Sequence, residues 1–298
     1  MSRRGTTLVA TLALVAMTAS WGSTFFLIKD LLDRVPTLDF LAVRFAIASL
    51  AMLLVAPRAL GRLSRDSRRH ALVLGLLYGV AQILQTAGLA HTPASVSGFV
   101  TGMYVVLTPI FAALLLRTRI SGVTWGAVAL ATAGLWLLTM RGEFALGYGE
   151  SLTLVAAALY ALHIVGLGAW SRPSEAMGMS IVQLMVIAAI CFVATVPDGI
   201  VLPATAEDWT SMLYMALVAG AAALFVQTWA QAHLPPTRCA IIMSMEPVFA
   251  AAFAVALGGE SLTSRLLLGG AMVLTAMLVV ELVPSRRPIE GEVTHLTV

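Results

Sequence analysis

Ten apolar runs of helix-spanning length, divided by short joints, constrain this chain more than any other feature. They are Leu8–Ile28, Thr37–Ala56, Ala71–Ala90, Ala94–Leu116, Ser121–Thr139, Ser151–Ala169, Met177–Val196, Thr210–Ala230, Arg238–Leu257 and Arg265–Val283. The joints carry turn chemistry: Val35-Pro36, Ala56-Pro57, Thr92-Pro93, Arg172-Pro173, Val196-Pro197, Pro235-Pro236 and Gly258-Gly259. Charged residues make up only 11% of the 298-residue chain and hydrophobic ones 59%, where a soluble domain holds roughly 25% charge. Such a sequence is buried only if lipid covers its outside. Lipid offers the backbone no hydrogen-bond partner, so each run must be helical, and no period-2 alternation suggests a barrel. The expected fold is an all-α integral membrane protein of ten transmembrane helices.

Loop charges give an orientation. With a cytoplasmic N-terminus, 13 basic residues fall inside: Arg3, Arg4, Arg58, Arg62, Arg65, Arg68, Arg69, Arg117, Arg119, Arg172, Arg238, Arg286 and Arg287. Four fall outside, Lys29, Arg34, Arg141 and Arg265, while Arg44 lies within the second run. This bias places both termini in the cytoplasm of a multi-pass plasma (inner) membrane protein. The first run follows Arg3-Arg4 and is longer than a signal h-region, so it reads as a retained anchor. The basic stretch Arg58–Arg69 also fits a headgroup patch. Cys191 and Cys239 both sit in apolar sequence and form no disulfide framework.

The chain also resembles itself. Gln85-Thr86, Ala90-His91 and Pro93 recur as Gln227-Thr228, Ala232-His233 and Pro235, an offset of 142. Trp21 falls opposite Tyr160 and Arg44 opposite Gln183 at 139, and Pro109-x-Phe111-Ala112-Ala113 opposite Pro247-x-Phe249-Ala250-Ala251 at 138. Between Val96 and Pro109 the first half is therefore about one helical turn longer. Each half holds five runs, an odd number, so the second half enters from the opposite side. The reading is two inverted five-helix repeats, residues 1–146 and 147–284, followed by a cytoplasmic tail, 285–298. Secondary transporters use this architecture for alternating access around a midplane site.

Polar side chains within the runs suggest where that site lies. The third run places Gly75, Tyr78, Gly79, Gln82, Gln85 and Thr86 on one face, and the fourth does so with Ser97, Thr101, Tyr104 and Thr108. Gln227 and Gln231 share a face of the eighth run, with Trp229 off it. Tyr160 and His163 are a turn apart in the sixth run, and Trp21 lies in the first. Candidate substrate-binding residues are Trp21, Tyr78, Gln82, Gln85, Tyr104, Tyr160, His163, Gln227 and Trp229, around a cavity lined by helices 1, 3, 4, 6, 8 and 9. The competing reading makes these groups interhelical hydrogen bonds and packing glycines.

Glu246 and Glu281 are the carboxylates well inside a run, and Glu281 lies at the cytoplasmic end, where an interfacial role suffices. Glu246 precedes Pro247, whose missing N–H frees a carbonyl and can break the helix. The Glu246-Pro247 pair is a candidate for proton coupling, for binding a cationic group, or for capping a broken helix or pairing with Arg44. Arg44 reads as snorkelling or structurally paired, with a carboxylate substrate as the alternative. His163 is a pH-sensing candidate or a buried neutral imidazole.

Several motifs resemble the EamA family of the drug/metabolite transporter superfamily. They are Trp21-Gly22-Ser23, Arg44-Phe45, Ser97-Gly98-Phe99-Val100-Thr101-Gly102 running to Tyr104, Met245-Glu246-Pro247-Val248-Phe249, and Gly259-Glu260. The resemblance covers residues 8 to 283 and departs at Arg117-Thr118-Arg119, where Gly-Glu would parallel the second half. It implies ten helices, two five-helix repeats, and movement of small metabolites such as amino acids or xenobiotics, often outward. The expected partners are a small-molecule substrate and the lipid bilayer, with no nucleic acid, cofactor or metal, and no oligomer is indicated. An intramembrane enzyme acting on a lipid-linked or small apolar substrate is the rival class. It finds no HExxH, GxSxG, paired intramembrane Asp or Cys/His cluster, and a P-loop is absent too.

Overall fold

The computed structural model describes residues 3–115, 122–139, 147–172, 174–195, 199–231 and 242–282. Arg117-Thr118-Arg119, Arg141, Pro235-Pro236, His233, Cys239, the start of the ninth run, the tail 285–298 and the side chains of Gln231 and Glu281 lie outside the described residues. All regular structure among the described residues is helical. The helices are α1 (Arg3–Leu31), α2 (Thr37–Val55), α3 (Arg65–Ala90), α4 (Ala94–Leu115), α5 (Gly122–Thr139), α6 (Tyr148–Trp170) and α7 (Ala176–Thr195). Next, α8 starts as Ala206–Leu213, passes through a π-helical stretch, Tyr214–Ala222, and ends as Ala223–Gln231. Helices α9 (Glu246–Ala256) and α10 (Ser264–Leu282) complete the order.

Seven of these helices are long and apolar enough to cross a membrane, and Gly122–Leu138, Glu246–Ala256 and Ser264–Val279 are shorter apolar helices. Large apolar side chains such as Leu54, Val55, Leu114 and Val193 stand on the outer surface, as lipid-facing residues do. The chain is a multi-pass membrane protein.

Helix ends extend beyond the apolar runs where capping chemistry allows. Ser64 accepts from the Ser67 amide at 3.1 Å, so α3 begins at Arg65 and takes Arg68 and Arg69 into its first turns. Thr205 accepts from the Asp208 amide at 3.1 Å and starts α8 four residues before its apolar run. After α9, Gly259 adopts φ +70°, a left-handed turn that a side chain disfavours. That turn delivers the Glu260 carboxylate to the start of α4, where it accepts from the Ala94 and Ser95 amides and from the Ser95 hydroxyl. Those amides have no partner within α4.

Packing pairs follow a pattern. α3 packs on α6 and α7, and α4 on α6; α8 packs on α1 and α2, and α9 on α1. α2 also meets α7, α4 meets α9, and α5 meets α10. Trp21-Gly22-Ser23 makes sense here. A Cβ on Gly22 would lie 2.5 Å from Phe249 Cβ and 2.8 Å from the Ala250 nitrogen, so only glycine lets α1 close on α9.

Side-chain ties gather the loops at two ends. At one end, Arg34 bridges Asp208 (2.7 Å) and Asp30 (2.6 Å), Asp39 accepts from the Val201 amide at 2.9 Å, and Lys29 donates to the Leu89 and Thr92 carbonyls. At the other end, Glu175 accepts from the Ser64 amide (2.8 Å) and the Ser67 hydroxyl (2.6 Å). These two bonds, the Ser67 hydroxyl first, hold the Glu175 carboxyl below the usual carboxylate range.

Candidate solute cavity

A narrow cavity with about 60 Å³ of free volume lies between the ties at the two ends. Its lining comes from α1 (Trp21, Thr24, Phe25, Ile28), α2 (Arg44), α3 (Tyr78, Gln82, Gln85) and α4 (Thr101, Tyr104). It continues with α6 (Tyr160, His163, Ile164), α8 (Gln227) and the approach to α9 (Met243, Glu246). Half of the lining residues are aromatic or apolar and half carry polar or charged groups. That mixture suits an organic solute.

Hydrogen bonds fix part of the lining. Gln85 accepts from the Tyr160 hydroxyl at 2.7 Å and donates to Thr101 at 3.0 Å, joining α3, α4 and α6. His163 Nε2 pairs with Gln183 Oε1 at 2.7 Å, and the His163 ring stacks on Tyr78 at 5.0 Å. Tyr104 donates to Glu246 Oε2 at 3.1 Å. Gln227 is 4% exposed and makes no side-chain hydrogen bond to the described residues.

The π-helical stretch of α8 has a visible use. A π segment disturbs the regular i−4 ladder. Two of its carbonyls accept side-chain donors, Ala219 from Trp21 Nε1 at 2.8 Å and Met215 from Arg44 Nε at 3.1 Å. Tyr214, which opens the stretch, meets the Ser23 hydroxyl at 2.8 Å. Thus α8 is held to α1 and α2 beside the cavity.

The structure brings Trp21, Tyr78, Gln82, Gln85, Tyr104, Tyr160, His163, Gln227 and Glu246 to one cavity. It does not bring Trp229 or Pro247 there. Trp229 is two residues beyond Gln227, about 200° around the helix, and packs against the hydrophobic core. Pro247 is the first helical residue after Glu246 and turns to α4, where its Cγ would sit 3.2 Å from a Cβ on Gly102.

Arg44 corrects a sequence expectation. It neither snorkels nor pairs with an acid: it is 3% exposed, and the ion pairs among the described residues belong to Arg34. The rings of Phe40 and Phe45 and the Met215 carbonyl hold it inward, which adds α2 to the expected lining. Thr24, Phe25, Ile28, Ile164 and Met243 were also missed, and the apolar four carried no signal that distinguishes a cavity wall from core. Buried Asp39, Glu150 and Asp208 escaped notice because each stands at a helix start rather than well inside a run. Among the described residues, no three His, Cys, Asp or Glu side chains gather to hold a metal.

The described residues form a multi-pass helical bundle with polar and aromatic side chains converging on an interior cavity. Comparison with known proteins gives the family. The EamA-like transporter family matches twice, over residues 8–140 and 147–282, and the chain belongs to that family. An uncharacterized transporter of Archaeoglobus fulgidus is 30% identical over 279 residues, covering 92% of this chain and 86% of the relative. The uncharacterized inner membrane transporter YedA of Escherichia coli K12 is 26% identical over 280 residues, covering 91% and 90%. A solved crystal structure shares the fold at TM-score 0.66 and 18% identity, over 92% of this chain and 96% of that one. The protein is a membrane transporter with two EamA repeats.

Proposed function

We propose that this chain is a secondary transporter that moves a small organic solute by alternating access around the central cavity. The solute is an amino acid, a related metabolite or a xenobiotic, and the direction is outward across the inner membrane. One observation carries the reading: both EamA repeats contribute to a single cavity, with Trp21, Arg44, Tyr78 and Gln85 from the first and Tyr160, His163, Gln227 and Glu246 from the second.

The packing pattern supports ten spans in a five-plus-five inverted arrangement, divided at 146/147. Exchange α1–α5 with α6–α10, and α3–α6 becomes α8–α1, α4–α6 becomes α9–α1, and α3–α7 becomes α8–α2. The pairs α2–α7, α4–α9 and α5–α10 map onto themselves. A two-fold axis relating the repeats produces this pattern. With the basic loops cytoplasmic, both termini lie inside.

Glu246 is the candidate coupling group. It is buried at the start of α9, bonded to Tyr104 and facing the cavity, so protonation there changes the charge the solute meets. Uptake into proteoliposomes, tested with a metabolite panel with and without a pH gradient, is the experiment. Saturable uptake of a subset of solutes supports the reading. Panel-wide permeation no faster than in empty liposomes contradicts it.

A further inference from the structure

Arg44 is the one cation lining the cavity among the described residues, and its packing leaves most of its donors unused. Its guanidinium carbon lies 5.7 Å from the centroid of Phe40 and 5.2 Å from that of Phe45. Its Nε donates to the Met215 carbonyl at 3.1 Å, engaging one of five N–H donors. The terminal nitrogens have no partner among the described residues, yet none is among the buried side-chain atoms closed off from space. In a residue 3% exposed, that remaining surface gives onto the cavity. Glu246 is bonded to Tyr104 and is not within ion-pairing distance. A buried guanidinium aimed at an empty space without a counter-charge is poorly stabilised until an anion arrives.

The other repeat shows that packing does not demand this charge. At the matching position, Gln183 is a neutral amide, fully buried and satisfied by His163 and the Met179 carbonyl. Position 44 therefore carries a charge that its counterpart does without.

We propose that Arg44 docks the carboxylate of the transported solute, with the solute's aromatic or apolar body against Trp21, Phe25, Tyr78 and Tyr160. The proposal rests on the cavity being the solute site. The guanidinium fork matches a planar carboxylate through two parallel N–H···O bonds. A phosphate dianion calls for more positive charge than this single cation supplies. The apolar walls accept a ring.

Calorimetric titration of the purified protein in lipid nanodiscs tests this without requiring flux. The probes are indole-3-acetate, its neutral isostere indole-3-acetamide, and inorganic phosphate. Indole-3-acetate binds about tenfold or more tighter than the acetamide, the scale of one charge-assisted pair, and phosphate does not compete. Arg44→Gln lowers acetate affinity to that of the acetamide, and Arg44→Lys retains part of the preference. Equal affinity for acetate and acetamide in the unaltered protein overturns the proposal whether or not the variants fold. So do undetectable acetate binding, phosphate competition, and full acetate affinity in Arg44→Gln. Absence of any charge preference in the unaltered protein with uptake intact defeats only the Arg44 assignment, whereas intact binding without any uptake defeats the transport reading.

Discussion

The two EamA repeats use the same helices in the same pairings but arm them differently. Trp21 on α1 and Tyr160 on α6 are counterparts, and each donates to the third helix of the opposite repeat. Tyr160 uses the Gln85 side chain on α3, whereas Trp21 uses the Ala219 carbonyl in the π stretch of α8. That substitution leaves Gln227, the counterpart of Gln85, without a side-chain hydrogen bond among the described residues and lining the cavity. The fourth helices differ as well. α4 runs through Pro109 to Leu115, while in the second repeat α9 begins at Glu246 with Pro247 as its first proline-tolerant position. Thr108 answers its own helix through the Tyr104 carbonyl at 2.7 Å, while its counterpart Glu246 faces the cavity. Repetition thus supplies the frame, and departures from it supply a cation on one side and a carboxyl on the other.

The largest effect that breaks this comparison belongs to the fourth helices. Glu246→Gln abolishes pH-gradient-driven accumulation in proteoliposomes while leaving exchange of solute without a gradient, and Thr108→Ala leaves both. Gradient-driven accumulation surviving in Glu246→Gln removes Glu246 from coupling. Gly22→Val comes next. Forcing α1 from Phe249 and the backbone of α9 costs about 1–3 kcal/mol by the usual scale of overpacking, read as a lower thermal midpoint in detergent.

The paired glutamines separate frame from site. Gln85→Ala leaves the Tyr160 hydroxyl and Thr101 short of a partner and destabilises by ~1–3 kcal/mol. Gln227→Ala breaks no such bond among the described residues and destabilises less than Gln85→Ala, yet alters solute affinity. Equal stability losses would erase the distinction. The smallest effect lies at the Glu175 tie. Its carboxyl is held below the usual range when folded, so its contribution is present above the unfolded pKa and fades as pH falls through the lower folded value. Glu175→Gln removes this acid-side slope from the pH–stability profile, and its small cost is felt at neutral pH, where the contribution is fully present, and vanishes in acid.

Much of this was legible in the chain because membranes enforce simple rules. Helix positions followed from apolar length, and polar faces at three- and four-residue spacing picked out Tyr78, Gln82, Gln85 and Tyr104. What was not legible has physical causes. The π stretch needs no Pro or Gly signature distinct from ordinary small-residue packing. Arg44 looked able to snorkel because its depth was visible but its neighbours were not, and the Phe40 and Phe45 rings turn it inward. Phe25 and Ile164 belong to the core and also border the cavity, through tertiary arrangement alone. Trp229 shared the composition of a binding aromatic but not the helix face of Gln227.

The account rests on the two repeats facing opposite ways. Asp33 and Arg172 are counterparts at an offset of 139, each at the joint between the first and second helices of its repeat. In a background carrying Cys191→Ala and Cys239→Ala, single cysteines at Asp33→Cys and Arg172→Cys are probed with a membrane-impermeant maleimide on intact spheroplasts and on inverted vesicles. The account predicts labelling of position 33 only on spheroplasts and of position 172 only on inverted vesicles. Labelling of both from the same side would contradict it.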